Sequence, residues 1–153
     1  MPSPTPCPQS IAVDCDPEIK LTTNASFYLQ NKKKVKNLIQ ADLTGKGYFH
    51  FYVENLPKDR TGCPGWWLFN VAWDYFTIDN QATILGVRGD WTFGDNLDTV
   101  NRLTTNHQMT LEDAAKKTWT YEQARKRGYS VFQLIDVDGP PGNYKEVQVV
   151  FLQ

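Results

Sequence analysis

Residues 129–152 read YSVFQLIDVDGPPGNYKEVQVVFL, and the fold turns on how this stretch divides. Two runs rich in β-branched and aromatic residues, 129–137 and 145–152, are separated by DGPPGNY. The glycines and prolines there favour a reversal of the chain and can continue neither a helix nor a central strand. The stretch reads as two strands joined by a turn. In the second run Val147, Val149 and Phe151 alternate with Glu146, Gln148 and Val150. Successive side chains of a strand point to opposite faces, so Glu146 and Gln148 share one side.

Upstream lie two helix starts. Thr110 precedes LEDAAKK with Asp113 three residues on, and Thr120 precedes YEQARKR with Gln123 three residues on. Both have the spacing at which a side-chain oxygen caps the first free backbone amides. Gly128 is placed to close the second helix through a positive φ. Further back, ATILGVR (82–88) reads as a short strand ending in Arg88, which shares a face with Ile84 and Gly86. In WWLFNVAWDYF (66–76), Trp66, Phe69, Trp73 and Phe76 recur at helical spacing, with Pro64 acceptable at the start. GYFHFYVE alternates, with Phe49, Phe51 and Val53 on one face and Tyr48, His50 and Tyr52 on the other. These elements predict an α+β fold: one or more small, mostly antiparallel sheets with short helices packed on them.

The length of 153 residues suits one compact domain. Four prolines in residues 2–9 mark an extended leader or linker, so residues 1–16 are set apart from a single α+β domain over 17–153. The N-terminus lacks the basic start and apolar middle of a secretory signal, and no run approaches the ~20 apolar residues that span a bilayer. The expectation is a soluble chain without membrane insertion, exported, if at all, by a signal-less system. A formal net charge of −1 argues against nucleic-acid binding by bulk electrostatics. The cluster Lys32, Lys33, Lys34 and Lys36 reads as a solvated face. Cys7, Cys15 and Cys63 fit no zinc spacing, and only two histidines are available to complete a site, so no metal centre is expected.

Three polar groups stand out. Arg88 in VRG is a strand-borne guanidinium beside small residues, suited to capturing a phosphate or carboxylate, or to an ion pair with Asp90. Thr118 and Thr120 flank Trp119 before a helix, where hydroxyls and free amides can line an anion-receptive pocket, or where Thr120 simply caps the helix. Glu146 and Gln148 are polar residues on an otherwise apolar terminal strand.

In order along residues 82–152, an arginine on a strand, a Thr-x-Thr element and a late Glu-x-Gln strand resemble the mono-ADP-ribosyltransferase toxins. The resemblance implies a toxin-like effector that uses NAD as substrate, either to ADP-ribosylate a protein or nucleic-acid acceptor in a recipient-cell cytoplasm or to hydrolyse NAD. It implies that Arg88 holds the NAD phosphates, that Thr118 and Thr120 organise the nicotinamide-ribose pocket, and that Trp91 or Trp119 stacks on a base. Glu146 becomes the catalytic carboxylate, with Gln148 at the motif's second position, where that family usually carries its glutamate. A cognate inhibitor protein is a further implied partner.

Other readings use other residues. Cys63 before an aromatic helix, with His107 or His50 as base, is similar to papain-like amidases and peptidases, because a helix N-terminus favours a thiolate. His50 and His107 also supply the residue types for acid-base RNA cleavage, with Lys46 or Lys58 on the phosphate. A non-enzymatic inhibitor or immunity-type binder would use an exposed patch of Trp66, Trp67 and Trp91.

Overall fold

The computed structural model describes residues 17–22, 26–31, 36–53 and 65–153. The chain divides after Ile84 into two compact units.

In the first unit, β1 (Pro17–Thr22), β2 (Ser26–Asn31), β3 (Lys36–Leu43) and β4 (Tyr48–Val53) form an antiparallel meander in chain order. The turn between β3 and β4 is tied by the Thr44 amide donating to the Tyr48 carbonyl at 2.9 Å and the Tyr48 amide donating to Thr44 Oγ1 at 3.1 Å. Helix α1 (Gly65–Asp74) passes into one π-helical turn, Tyr75–Asp79, in which the Asn80 amide donates to the Tyr75 carbonyl five residues back. The expected 66–76 helix is present, longer at its end. Its inner face buries Trp67, Leu68, Phe69, Val71 and Ala72.

Phe49 is the centre of this core. It is fully buried, and its ring meets Phe69, Trp73 and Phe76 at 4.9, 5.2 and 6.0 Å between centroids. The tilted and edge-on geometries suit the ring quadrupoles. The alternation of 48–53 is therefore real: Phe49 points inward, whereas Tyr52 is exposed.

The second unit has three antiparallel strands in the order β5 (Gly86–Trp91), β7 (Glu146–Leu152), β6 (Val131–Asp138). Helices α2 (Asp95–Thr104), α3 (Leu111–Ala115) and α4 (Trp119–Lys126) make up its helical layer. The 129–152 stretch is the hairpin its sequence describes, although the two strands are shorter than the runs. The strand expected at 82–88 lies instead at 86–91, so Arg88 is inside a strand and not at its end.

One face of this ladder carries Val87, Gly89 and Trp91, which stand in register opposite Phe151, Val149 and Val147 respectively, all six buried. Helix α4 covers it, with Tyr121 and Phe151 rings 5.1 Å apart at 66°. Gly89 is required there. A Cβ at position 89 would lie 2.7 Å from the Trp91 indole, which folds back along its own strand over the glycine. Gly89 is thus a seat for a buried ring and not a flexible strand end.

Helix α4 ends in a complete left-handed cap at Gly128 (φ 89°), with the Gly128 amide donating to the Arg125 carbonyl and the Tyr129 amide to that of Ala124, both at 3.0 Å. The loop between β6 and β7 is fastened to α2. Asn101 Nδ2 donates to the Tyr144 carbonyl at 3.0 Å, the Tyr144 amide donates to Asn101 Oδ1 at 2.7 Å, and the Gly142 amide donates to Thr104 Oγ1 at 2.9 Å.

Candidate functional site

Register fixes what the polar face of the second unit presents. Arg88 stands opposite Val150, and Asp90 opposite Gln148, which in turn faces Asp136 on β6. Glu146 pairs with Asp138 at the start of β7. Arg88, Asp90, Gln148 and Glu146 consequently point to one side of two adjacent strands, all half-buried. Glu146 is four positions along β7 from the residue opposite Arg88, about 13 Å at the usual strand rise.

The guanidinium is loosely held. Arg88 Nη2 donates to Gln148 Oε1 at 3.4 Å and lies 3.7 Å from Asp90 Oδ2. Both distances exceed the ~2.7–2.9 Å of a strong charge-assisted hydrogen bond. Its Nε is buried and has no hydrogen-bond partner among the described residues. The Asp90 ion pair that the sequence allows is present, but it does not exhaust the arginine's five donors.

The threonine and tryptophan half of the expected site lies elsewhere. Thr118, and not Thr120, caps α4: its Oγ1 accepts from the Tyr121 amide at 3.2 Å and donates to the Ala115 carbonyl at 2.7 Å. Thr120, buried in the first turn, accepts from Asn96 Nδ2 at 3.0 Å, and the Trp119 amide donates to Asn96 Oδ1 at 3.1 Å. The Glu122 amide donates to the Thr118 carbonyl at 3.2 Å. The Trp119, Tyr121 and Glu122 amides at this helix start are therefore used within the protein, because Asn96 of α2 and the capping threonine reach them first. Thr118 and Thr120 both belong to the helix that covers the apolar face, opposite Arg88.

Trp91 is likewise on the apolar face and only 5% exposed, so it does not stack on a ligand held by Arg88. Trp119 is half-buried at the first turn of α4. The exposed patch of Trp66, Trp67 and Trp91 does not form: Trp67 is buried on the inner face of α1 and Trp91 under α4, which leaves Trp66, 45% exposed.

Cys63, with Lys58 and the basic cluster's Lys32–Lys34, lies outside the described residues, as does the proline-rich segment. His50 is on β4 of the first unit; His107 is exposed in the second, in a left-handed conformation (φ 54°) after α2. Among the described residues no group of three or more His, Cys, Asp and Glu side chains is placed to hold a metal ion, and no helix is long and apolar enough to cross a membrane.

Sequence reasoning missed Asn96, which ties α2 to α4, and Asp136, which faces Gln148 from β6. Their signal is positional: each becomes visible only once the strand register and helix packing are known. No protein-family model, curated protein or solved structure matches this chain.

Proposed function

We propose that the polar face of the β5–β7 ladder takes a phosphate-bearing ligand on Arg88, and that this ligand is NAD, cleaved by a toxin-like effector. The observation that supports the reading is the under-coordinated guanidinium, sharing its face with Glu146. A phosphate group offers an anionic, short-range acceptor in place of the long Gln148 and Asp90 contacts, and Arg is the side chain best matched to it.

The span from Arg88 to Glu146 is shortened by the arginine's own reach, towards the separation between a pyrophosphate and the adjoining ribose. When the bond from ribose C1′ to the nicotinamide nitrogen breaks, its electron pair leaves with neutral nicotinamide and positive charge develops on the sugar. A carboxylate held beside that sugar stabilises the charge before the acceptor arrives. The acceptor, water or a nucleophilic side chain of a target, then adds at C1′ and releases its proton.

The proposed pocket differs from the one inferred from the resemblance, since Thr118, Thr120 and Trp91 lie on the other face. That same observation favours a second reading, a non-enzymatic inhibitor or immunity-type binder, in which the ladder is a scaffold and Arg88 contributes only to a surface.

Incubating the purified chain with NAD, with and without cell lysate, and following nicotinamide release tests the first reading. Release that is lost in Glu146→Gln, with NAD binding retained, supports it. Absence of both binding and release with either addition moves the assignment to the binder.

A further inference from the structure

The meander of the first unit has an outer face, turned away from α1. Phe27, Ala41 and Phe49 are buried on the inner face, where the Phe27 ring meets Tyr75 at 5.0 Å and Phe49 packs on the helix. Their neighbours along each strand point the other way. Register sets these outward residues in two rows across β2, β3 and β4. Tyr28 and Tyr52 stand on either side of Gln40, and Ser26 and His50 on either side of Asp42. Tyr52 is 45% exposed, Asp42 is exposed, and Tyr28, Gln40, Ser26 and His50 are half-buried.

Two rings held in one row have a set spacing. Tyr28 and Tyr52 are two strands apart, about 10 Å at the usual strand separation. Between them Gln40 presents a planar amide that both donates and accepts. The second row runs parallel, about 7 Å further along the strands, and adds a carboxylate, a hydroxyl and an imidazole. No Lys or Arg stands in either row. A single-stranded nucleic acid needs a basic groove beside its stacking rings, and Asp42 would repel its phosphates. The composition of the face suits an uncharged ligand rich in hydroxyls.

We propose that this face binds a neutral β-1,4-linked glycan laid across β2–β4, with one sugar on Tyr28 and the next but one on Tyr52. The C–H groups on the flat side of a hexose carry slight positive charge and are drawn to the negative face of a phenol ring. In an extended β-1,4-linked chain every second sugar turns the same side towards the surface, and that two-sugar repeat is close to the separation of the two tyrosines. The intervening sugar lies over Gln40, whose amide bonds its hydroxyls, and Asp42 and His50 take hydroxyls at the edge of the chain. The site is independent of the NAD reading, since all its residues belong to the first unit.

Isothermal titration of the full chain with cellohexaose and with chitohexaose tests this, the two arms separating glucose from N-acetylglucosamine chains. At least one should bind about tenfold or more tightly than maltohexaose, whose α-1,4 linkage coils the chain, or a single-stranded thymidine hexanucleotide. Tyr28→Ala and Tyr52→Ala should each weaken binding about three- to tenfold, and Tyr52→Phe, which keeps the ring, should leave it within about threefold. Thermal transitions establish that the variants are folded; if Tyr28→Ala is not, the more exposed Tyr52 decides. Absence of binding by both β-1,4-linked hexamers at about 10 mM overturns the proposal. So does affinity unchanged in the folded alanine variants, or affinity for maltohexaose or the hexanucleotide equal to that for the β-1,4-linked chains.

Discussion

Arg88 Nη2 lies 3.4 Å from Gln148 Oε1 across the β5–β7 ladder, although sixty residues separate the two in sequence. The relationship holds a charged donor in a half-buried position with a neutral acceptor and a carboxylate at 3.7 Å, both too long for tight bonds.

Replacing Arg88 with Met keeps the apolar stem and removes the charge. Because its contacts to Gln148 and Asp90 are long and partly exposed, losing them should lower stability by no more than about 1 kcal/mol. NAD affinity should fall at least about tenfold, since hydrogen bonds to charged groups contribute about 1.5–3 kcal/mol. Chemical denaturation and calorimetric titration with NAD report the two separately.

The two threonines of α4 should separate by what they bond. Thr118→Ala removes the helix cap and should cost about 1 kcal/mol. Thr118→Ser should recover most of it. Thr120→Ala instead leaves Asn96 Nδ2 without its acceptor, so Thr120→Ser is tolerated and Thr120→Val is not. Urea unfolding midpoints of these variants give the order.

Gly89→Ala should destabilise by about 1–3 kcal/mol, because the new methyl group overlaps a buried indole. The effect should appear in Trp fluorescence as well as in the unfolding midpoint, since Trp91 must leave its seat. A companion Trp91→Leu change should remove most of the penalty; a penalty that persists would place the clash elsewhere.

Asn101 fastens the β6–β7 loop with two hydrogen bonds to the Tyr144 backbone. Asn101→Ala should speed amide exchange in residues 139–145 at least about tenfold, with little change in β5. Uniform acceleration across the second unit would mean that the loop and ladder open together.

Burial raises the phenol pKa of both Tyr129 and Tyr144 above the ordinary tyrosine value near 10. The folded state thus holds these protons more tightly than the unfolded one. Their contribution is fully present below about pH 10 and is lost as pH rises through the folded-state values. Stability should fall above pH 10, and the double variant Tyr129→Phe, Tyr144→Phe should flatten that decline, measured as unfolding free energy against pH.

Local pattern was enough for some of this molecule. The β6–β7 hairpin, the β4 alternation around Phe49, the α1 segment, the Thr110 cap and the Gly128 stop all follow from side-chain period and from backbone angles that particular residues favour. Those are short-range quantities, set within a few residues. Strands β1–β3 and helix α2 carry weaker patterns and are not legible, and local spacing puts the cap of α4 at Thr120, two residues late, because two threonines offer the same chemistry.

What the sequence by itself determined is an α+β chain with Glu146 and Gln148 on one side of its last strand. Tertiary structure decided which other groups join them. Pairing β5 with β7 put Arg88 and Asp90 on that side, while docking α4 on the opposite side took Thr118, Thr120 and Trp91 away. The reason is physical: a strand's period of two assigns faces locally, but which face is covered depends on apolar burial summed over distant segments, and no local signal carries that sum.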